Sequence, residues 1–136
     1  MRKITDMSPS AWSDLDAEQK CVLVNAAESA LLLELLRSWE PMADPSDLLT
    51  QVPRLARAIV ELAGDGLIQV YQSNSIKSDG VLVPIDELAP IVNNPANWWT
   101  TDGPVTLVEL ATTDAATPLF LSRGGADLYE FRNHDQ

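Results

Sequence analysis

An enzyme needs a positioned acid, base, nucleophile or cofactor cradle, and residues able to supply one are sparse in this chain. The single histidine, His134, is the third residue from the end of the sequence. Chains usually fray there, so no Ser-His-Asp or Cys-His set can be assembled around it. The single cysteine, Cys21, sits in an apolar helical run and reads as a small hydrophobe, with no second cysteine for a disulfide or a zinc site. Glycines at 64, 66, 80, 103, 124 and 125 form neither G-x-G-x-x-G nor a phosphate-binding loop. Asp14, Asp16 and Glu18 alternate like hard-cation ligands but lack the glycine and distal glutamate of a calcium loop. Helix capping accounts for them more simply. No catalytic, metal-binding or cofactor-binding residue is expected, and no cofactor.

Recognition chemistry is better supplied. Gln51, Arg54 and Arg57 fall on one helix, with Lys77 in a loop beyond it, a set able to contact a nucleic-acid backbone. Trp98 and Trp99 are adjacent, and in an extended segment adjacent side chains face opposite ways. Both could fill a gap in the core, or one could stand out as an anchor for a partner. Leu32, Leu36 and Trp39 continue a helical face that carries Asn25, Glu28 and Ser29 earlier in the chain.

The charge bears on which of these is used. The 136 residues carry a formal net charge of −11. Residues 1–83 hold 7 basic and 12 acidic side chains and residues 84–136 hold 2 and 8, so the excess is spread along the chain. Such a field repels phosphate backbones and anionic lipid and favours solubility or a basic protein partner. Hydrophobic residues make up 46% and charged residues 21%, the composition of a folded chain. Met1-Arg2-Lys3 leads into Ile4-Thr5-Asp6 without an apolar run, and Ala30 to Leu36 is broken by Glu34 and too short to span a bilayer. A cytoplasmic protein that does not enter membranes is expected.

These residues must be positioned by elements readable from the pattern. Residues 1–15 form a polar N-terminal arm with Trp12 as an anchor. Asp16-Ala17-Glu18-Gln19 is a capping-box start, and one helix is expected to run from there to about Trp39, where Glu40-Pro41 stops it. Asp44 caps a short second helix with Pro45 at its first position, ending near Thr50-Gln51. A third helix spans about Pro53 to Ala63. Val52, Leu55, Ala56, Ile59, Leu62 and Ala63 share its inner face, and Arg54, Arg57, Ala58 and Glu61 point outward. Gly64-Asp65-Gly66 ends it, Leu67 to Gln72 is a strand, residues 73–80 a polar loop, and Val81 to Val83 the returning strand.

Beyond the hairpin, Ile85 to Val92 reads as a short helix interrupted by Pro90. Val105 to Ala111 reads as a strand, although its two-sided apolar pattern also fits a helix, and residues 104–116 are open between the two. Leu119-Phe120-Leu121 and Leu128-Tyr129-Glu130-Phe131 flank a glycine turn and suggest a hairpin.

The order of helices, glycine corner and β-hairpin between Asp44 and Pro84 resembles the winged helix-turn-helix superfamily. The most family-like stretch is Arg54 to Tyr71, R-L-A-R-A-I-V-E-L-A-G-D-G-L-I-Q-V-Y, in which a helix ending L-x-x-x-G-L-I feeds directly into the wing. The resemblance implies an α+β fold, a winged-helix-like three-helix core with a β-hairpin wing, plus a small C-terminal β element. The organisation expected is a single domain over residues 1–136, with the arm at 1–15, the core at 16–84 and the C-terminal β extension at 85–136.

Two functions follow from it. A DNA-binding transcriptional regulator would place the third helix in the major groove, using Gln51, Arg54, Arg57 and Lys77. Residues 51–80 hold three cations against three acids, whereas a specific binder neutralises roughly 6–10 phosphates. The expectation is therefore a non-enzymatic winged-helix protein acting as a protein-protein interaction or regulatory module, with inhibitor, antitoxin-like and immunity-type roles included. A face with surplus leucines must also be covered. A homodimer seamed along Leu32, Leu36 and Trp39 is expected, against coverage by the arm through Trp12 or burial at the centre of the core.

Overall fold

The computed structural model describes residues 9–73, 80–100, 106–125, 127 and 131. Its first long element begins as the capping residues dictate. Asp16 Oδ1 accepts from the Gln19 N–H at 2.8 Å, and Gln19 Oε1 accepts from the Asp16 N–H at 3.0 Å, which starts α1 (Ala17–Ala26). Just upstream, the N–H and hydroxyl of Ser10 and the N–H of Ala11 donate to Asp14 Oδ2. Those donors, the Ser10 N–H foremost, hold the Asp14 carboxyl below its ordinary value.

The single helix expected over 16–39 is in fact two. After Ala26 the chain tightens, with Ser29 N–H donating to the Ala26 carbonyl, and Ser29 itself takes a left-handed φ of 60°. Ala30–Leu31 then forms β1, paired antiparallel with a strand from the C-terminal half through Ala30↔Leu110 and Leu31↔Glu109. Glu34 Oε1 accepts from the Leu31 N–H at 2.7 Å and starts α2 (Leu32–Trp39). Helix propensity through the alanine- and leucine-rich run yields to ladder hydrogen bonds made far along the chain. Four helices, not three, therefore fall within residues 16–65 among the described residues. The others are α3 (Pro45–Leu49), where Pro45 opens the helix but the Asp44 side chain makes no capping bond, and α4 (Val52–Gly64).

α4 buries Val52, Leu55, Ala56, Ile59 and Leu62, and also Ala58, which the helical pattern alone points outward. It closes through a left-handed Gly66 (φ 77°), with Leu67 N–H bonded to the Leu62 carbonyl and Gly66 N–H to the Ala63 carbonyl. That corner feeds β2 (Ile68–Ser73), which pairs antiparallel with β3 (Val81–Leu82) through Tyr71↔Leu82 and Gln72↔Val81, as the apolar pattern predicts. The expected helix follows as α5 (Ile85–Val92), with Pro90 inside it.

Residues 107–112 are a strand, β4 (Leu107–Thr112), which settles the open alternative. β4 is no appendage: the sheet order is β1-β4-β2-β3, so it lies between β1 and β2 and pairs with both. The C-terminal hairpin is not formed as expected. Leu119-Phe120-Leu121 lies in α6 (Thr117–Ser122), and residues 128–130 lie outside the described residues.

The helices cover one face of this sheet. Ile68, Val70, Val108 and Leu110 point into a core shared with Leu23, Leu35, Leu55, Ile59 and the fully buried Cys21. Trp12 anchors the N-terminal arm against Phe120 at 5.6 Å, and its N–H donates to Ser122 Oγ at 2.9 Å. Among the described residues no helix is long and apolar enough to cross a membrane.

The expected dimer seam is closed by the chain itself. Leu32, Leu36 and Trp39 retain 1%, 0% and 1% of their exposure, and Trp39 stacks on Phe131 at 6.3 Å with the rings 5° from parallel. The surplus apolar face of α2 is spent on β4 and on Phe131, a C-terminal contribution that the N-terminal half of the sequence cannot reveal.

The β2–β3 hairpin also explains a glycine. A Cβ at Gly80 would stand 2.8 Å from the Cβ of Tyr71, closer than carbon atoms tolerate. Gly80→Ala is expected to cost about 1–3 kcal/mol as the two strands move apart. A urea titration should show a lower midpoint with an unchanged slope.

Candidate functional site

Of the residues expected to contact DNA, Gln51, Arg54 and Arg57 lie at the start and on the outer face of α4, opposite the start of α1. Periodicity places Arg54 and Arg57 outward, and they are 49% and 42% exposed. What meets them is a set of carboxylates. Arg54 Nε and Nη2 reach Glu18 Oε2 at 3.0 and 2.9 Å. Arg57 Nη1 lies 2.6 Å from Glu61 Oε1 and 3.3 Å from Asp16 Oδ2, and its Nη2 is 3.9 Å from Glu18. Gln19 Nε2 adds a bond to Glu61 Oε1 at 3.1 Å. Asp16, Gln19, Arg57, Glu61 and Asp65 together line a shallow polar cleft between α1 and α4.

Gln51 is equally committed. Its Oε1 accepts from Trp39 Nε1 and from Arg54 Nη1, both at 3.2 Å, and its Nε2 donates to Thr50 Oγ1 at 3.2 Å. The Arg54 guanidinium also lies 5.5 Å over the Trp39 ring. Two cations here face three carboxylates, Asp16, Glu18 and Glu61, so the patch carries a net negative charge. Ion pairs this exposed contribute about 0.2–1 kcal/mol each, which fixes side-chain geometry more than it stabilises the fold.

The structure brings Gln51, Arg54 and Arg57 together, while Lys77 lies outside the described residues. Trp98 is fully buried, its Nε1 donating to the Val92 carbonyl at 2.7 Å, and Trp99 is half-buried. Trp98, with Asn97 Nδ2 on the Ile91 carbonyl and Asn93 Nδ2 on the Ala89 carbonyl, satisfies the open end of α5. Trp98 is thus a core residue, as are Leu32, Leu36 and Trp39.

Sequence reasoning missed the partners of the arginines. The spacing Arg57–Glu61, four apart on one helix, was a readable signal. Glu18 and Asp16 were not readable as partners, because they depend on how α1 packs on α4. They also resolve the Asp14/Asp16/Glu18 alternation: the first closes its own turn, the second caps α1 and pairs with Arg57, and the third holds Arg54.

Fold and site together define an α+β protein: a four-stranded antiparallel sheet under a layer of helices, with two arginines of α4 held by carboxylates of α1 and α4. No protein-family model, curated protein or solved structure matches the chain.

Proposed function

We propose that this chain is a non-enzymatic winged-helix protein that works in the cytoplasm as a protein-protein interaction or regulatory module, with a basic protein as its partner. The observation that carries the reading is the engagement of both guanidinium groups on α4 by Glu18, Asp16 and Glu61. To meet phosphates, Arg54 and Arg57 would have to leave three carboxylates that stay behind in the same interface and repel the incoming anion. A basic protein surface meets the same face with the opposite sign of interaction. The winged-helix assignment draws support from α3 and α4 leading through the Gly66 corner into an antiparallel β2–β3 hairpin. Cys21, the single cysteine of the chain, is buried, and a buried thiol suits a reducing compartment.

The test is fluorescence anisotropy with labelled duplex DNA of mixed sequence. At about 150 mM salt no binding tighter than about 1 µM is expected, because the phosphate contacts that dominate such affinity are missing. Submicromolar binding that disappears in an Arg54→Ala/Arg57→Ala variant would overturn the reading in favour of a DNA-binding regulator.

A further inference from the structure

The sheet face turned away from the helices carries a row of side chains set in register across all four strands. Leu31 on β1 lies opposite Glu109 on β4, Glu109 opposite Tyr71 on β2, and Tyr71 opposite Leu82 on β3. Two residues further along the strands, on the same face, Ser73 lies opposite Leu107. With Ser29, Glu34 and Gly80, several of these residues enclose a cleft of about 280 Å³. Glu34 commits one carboxylate oxygen to the Leu31 N–H. The Glu109 carboxylate is exposed and has no hydrogen-bond or ion-pair partner among the described residues. At the sheet edge, Leu82 opposite Tyr71 is 49% exposed.

The charge and shape of this cleft select their occupant. Two carboxylates repel any anion, and an apolar side chain would strip water from Glu109 without replacing it. A cation on an apolar stem satisfies both parts: its methylenes lie along Leu31 and Leu107, and its charged head meets Glu34, Glu109 and the ring of Tyr71. A planar guanidinium, able to bond two carboxylates and stack on an aromatic ring, suits this better than an ammonium. Leu82, opposite Tyr71 on the same face, then takes an apolar residue flanking it. We propose that this cleft receives an arginine side chain from an extended basic and apolar segment of a protein partner. The proposal rests on the interaction-module reading and adds, on the sheet face away from α4, a second contact by which a basic partner is held.

A fluorescein-labelled peptide of Arg-Leu-Gly repeats, followed by anisotropy on the full chain at about 50 mM salt, tests this. Binding with a Kd of about 10–100 µM is expected, the range a single charged anchor with apolar flanks supports. A Glu34→Gln/Glu109→Gln variant should lose at least about tenfold in affinity. The amide oxygen that replaces the Glu34 carboxylate can still accept the Leu31 N–H, so the fold is kept. Asp44→Asn/Asp47→Asn removes the same charge from the helical layer and should change affinity by less than about twofold. A Lys-Leu-Gly peptide should bind more weakly, and a Glu-Leu-Gly peptide not at all.

Equal losses in the two double variants would overturn the cleft as the site, because the net charge alone would then be responsible; the basic-partner reading would stand. Spermidine competing as well as the peptide would overturn a protein segment as occupant. Peptide binding seen only after Arg2→Ala/Lys3→Ala/Arg132→Ala would assign the cleft to this chain's own segments. A light-scattering mass of two chains that falls to one in Glu34→Gln/Glu109→Gln would assign it to a second copy. Absence of peptide binding to the wild-type chain would also overturn the proposal, independently of the DNA measurement.

Discussion

Replacing Leu32 and Leu36 together by glutamate is expected to leave the chain unfolded at neutral pH. Both leucines are essentially without solvent exposure and sit where α2 packs on the sheet. Each substitution forgoes about 1.5–3 kcal/mol of apolar burial. Each also forces a carboxylate into an apolar site, which costs at least about 1–3 kcal/mol even after partial relaxation or protonation. The two together approach the whole 5–15 kcal/mol or so that separates folded from unfolded domains. Far-ultraviolet circular dichroism should show loss of helix, and light scattering the aggregates or expanded monomers of an unfolded chain. A variant that stays folded, with a smaller mass than the wild type, would restore the dimer seam and remove these leucines from the intramolecular core.

The error behind that seam shows where sequence reasoning reaches its limit. Features set by near neighbours are readable: the Asp16–Gln19 capping box, the left-handed Gly66 corner, and the pairing of the strand that follows it with the strand at Val81–Leu82. Each depends on residues within one turn or one hairpin. The break at Ser29 is not readable, because β1 exists only when β4 is beside it, and Leu110 lies far along the chain. With β4 read as an appendage, α2 has no surface to cover its second side, and a partner copy is the natural substitute. The run Leu119-Phe120-Leu121 misleads for another reason: three apolar residues fit a strand and a helix equally, and only the helix-start signal at Pro118 separates them. At the site, periodicity gives the direction of Arg54 and Arg57, but Glu18 and Asp16 reach them only through the packing of α1 on α4.

Trp39→Ala is expected to be the most damaging single substitution near that site, because one side chain joins three parts of the fold. Its ring stacks on Phe131 at 6.3 Å, which ties α2 to the C-terminal segment. Its Nε1 donates to Gln51 Oε1 at 3.2 Å, which ties α2 to the start of α4. Its outer face carries the Arg54 guanidinium at 5.5 Å, and the same Gln51 oxygen accepts from Arg54. Truncation leaves a cavity next to Phe131 and costs about 3–5 kcal/mol, the range for a buried tryptophan. For a chain of this length that lowers the melting temperature by about 10–20 °C. Trp39→Phe keeps most of the apolar area and the stack but removes the donor, so about 1 kcal/mol should be lost. The contrast separates packing from hydrogen bonding. Equal losses in the two variants would mean that the bond to Gln51, not the Phe131 stack, holds the C-terminal end of α2 against α4. A fall of less than about 3 °C in Trp39→Ala, under about 1 kcal/mol for this size, would mean that Trp39 is not an anchor of the core at all.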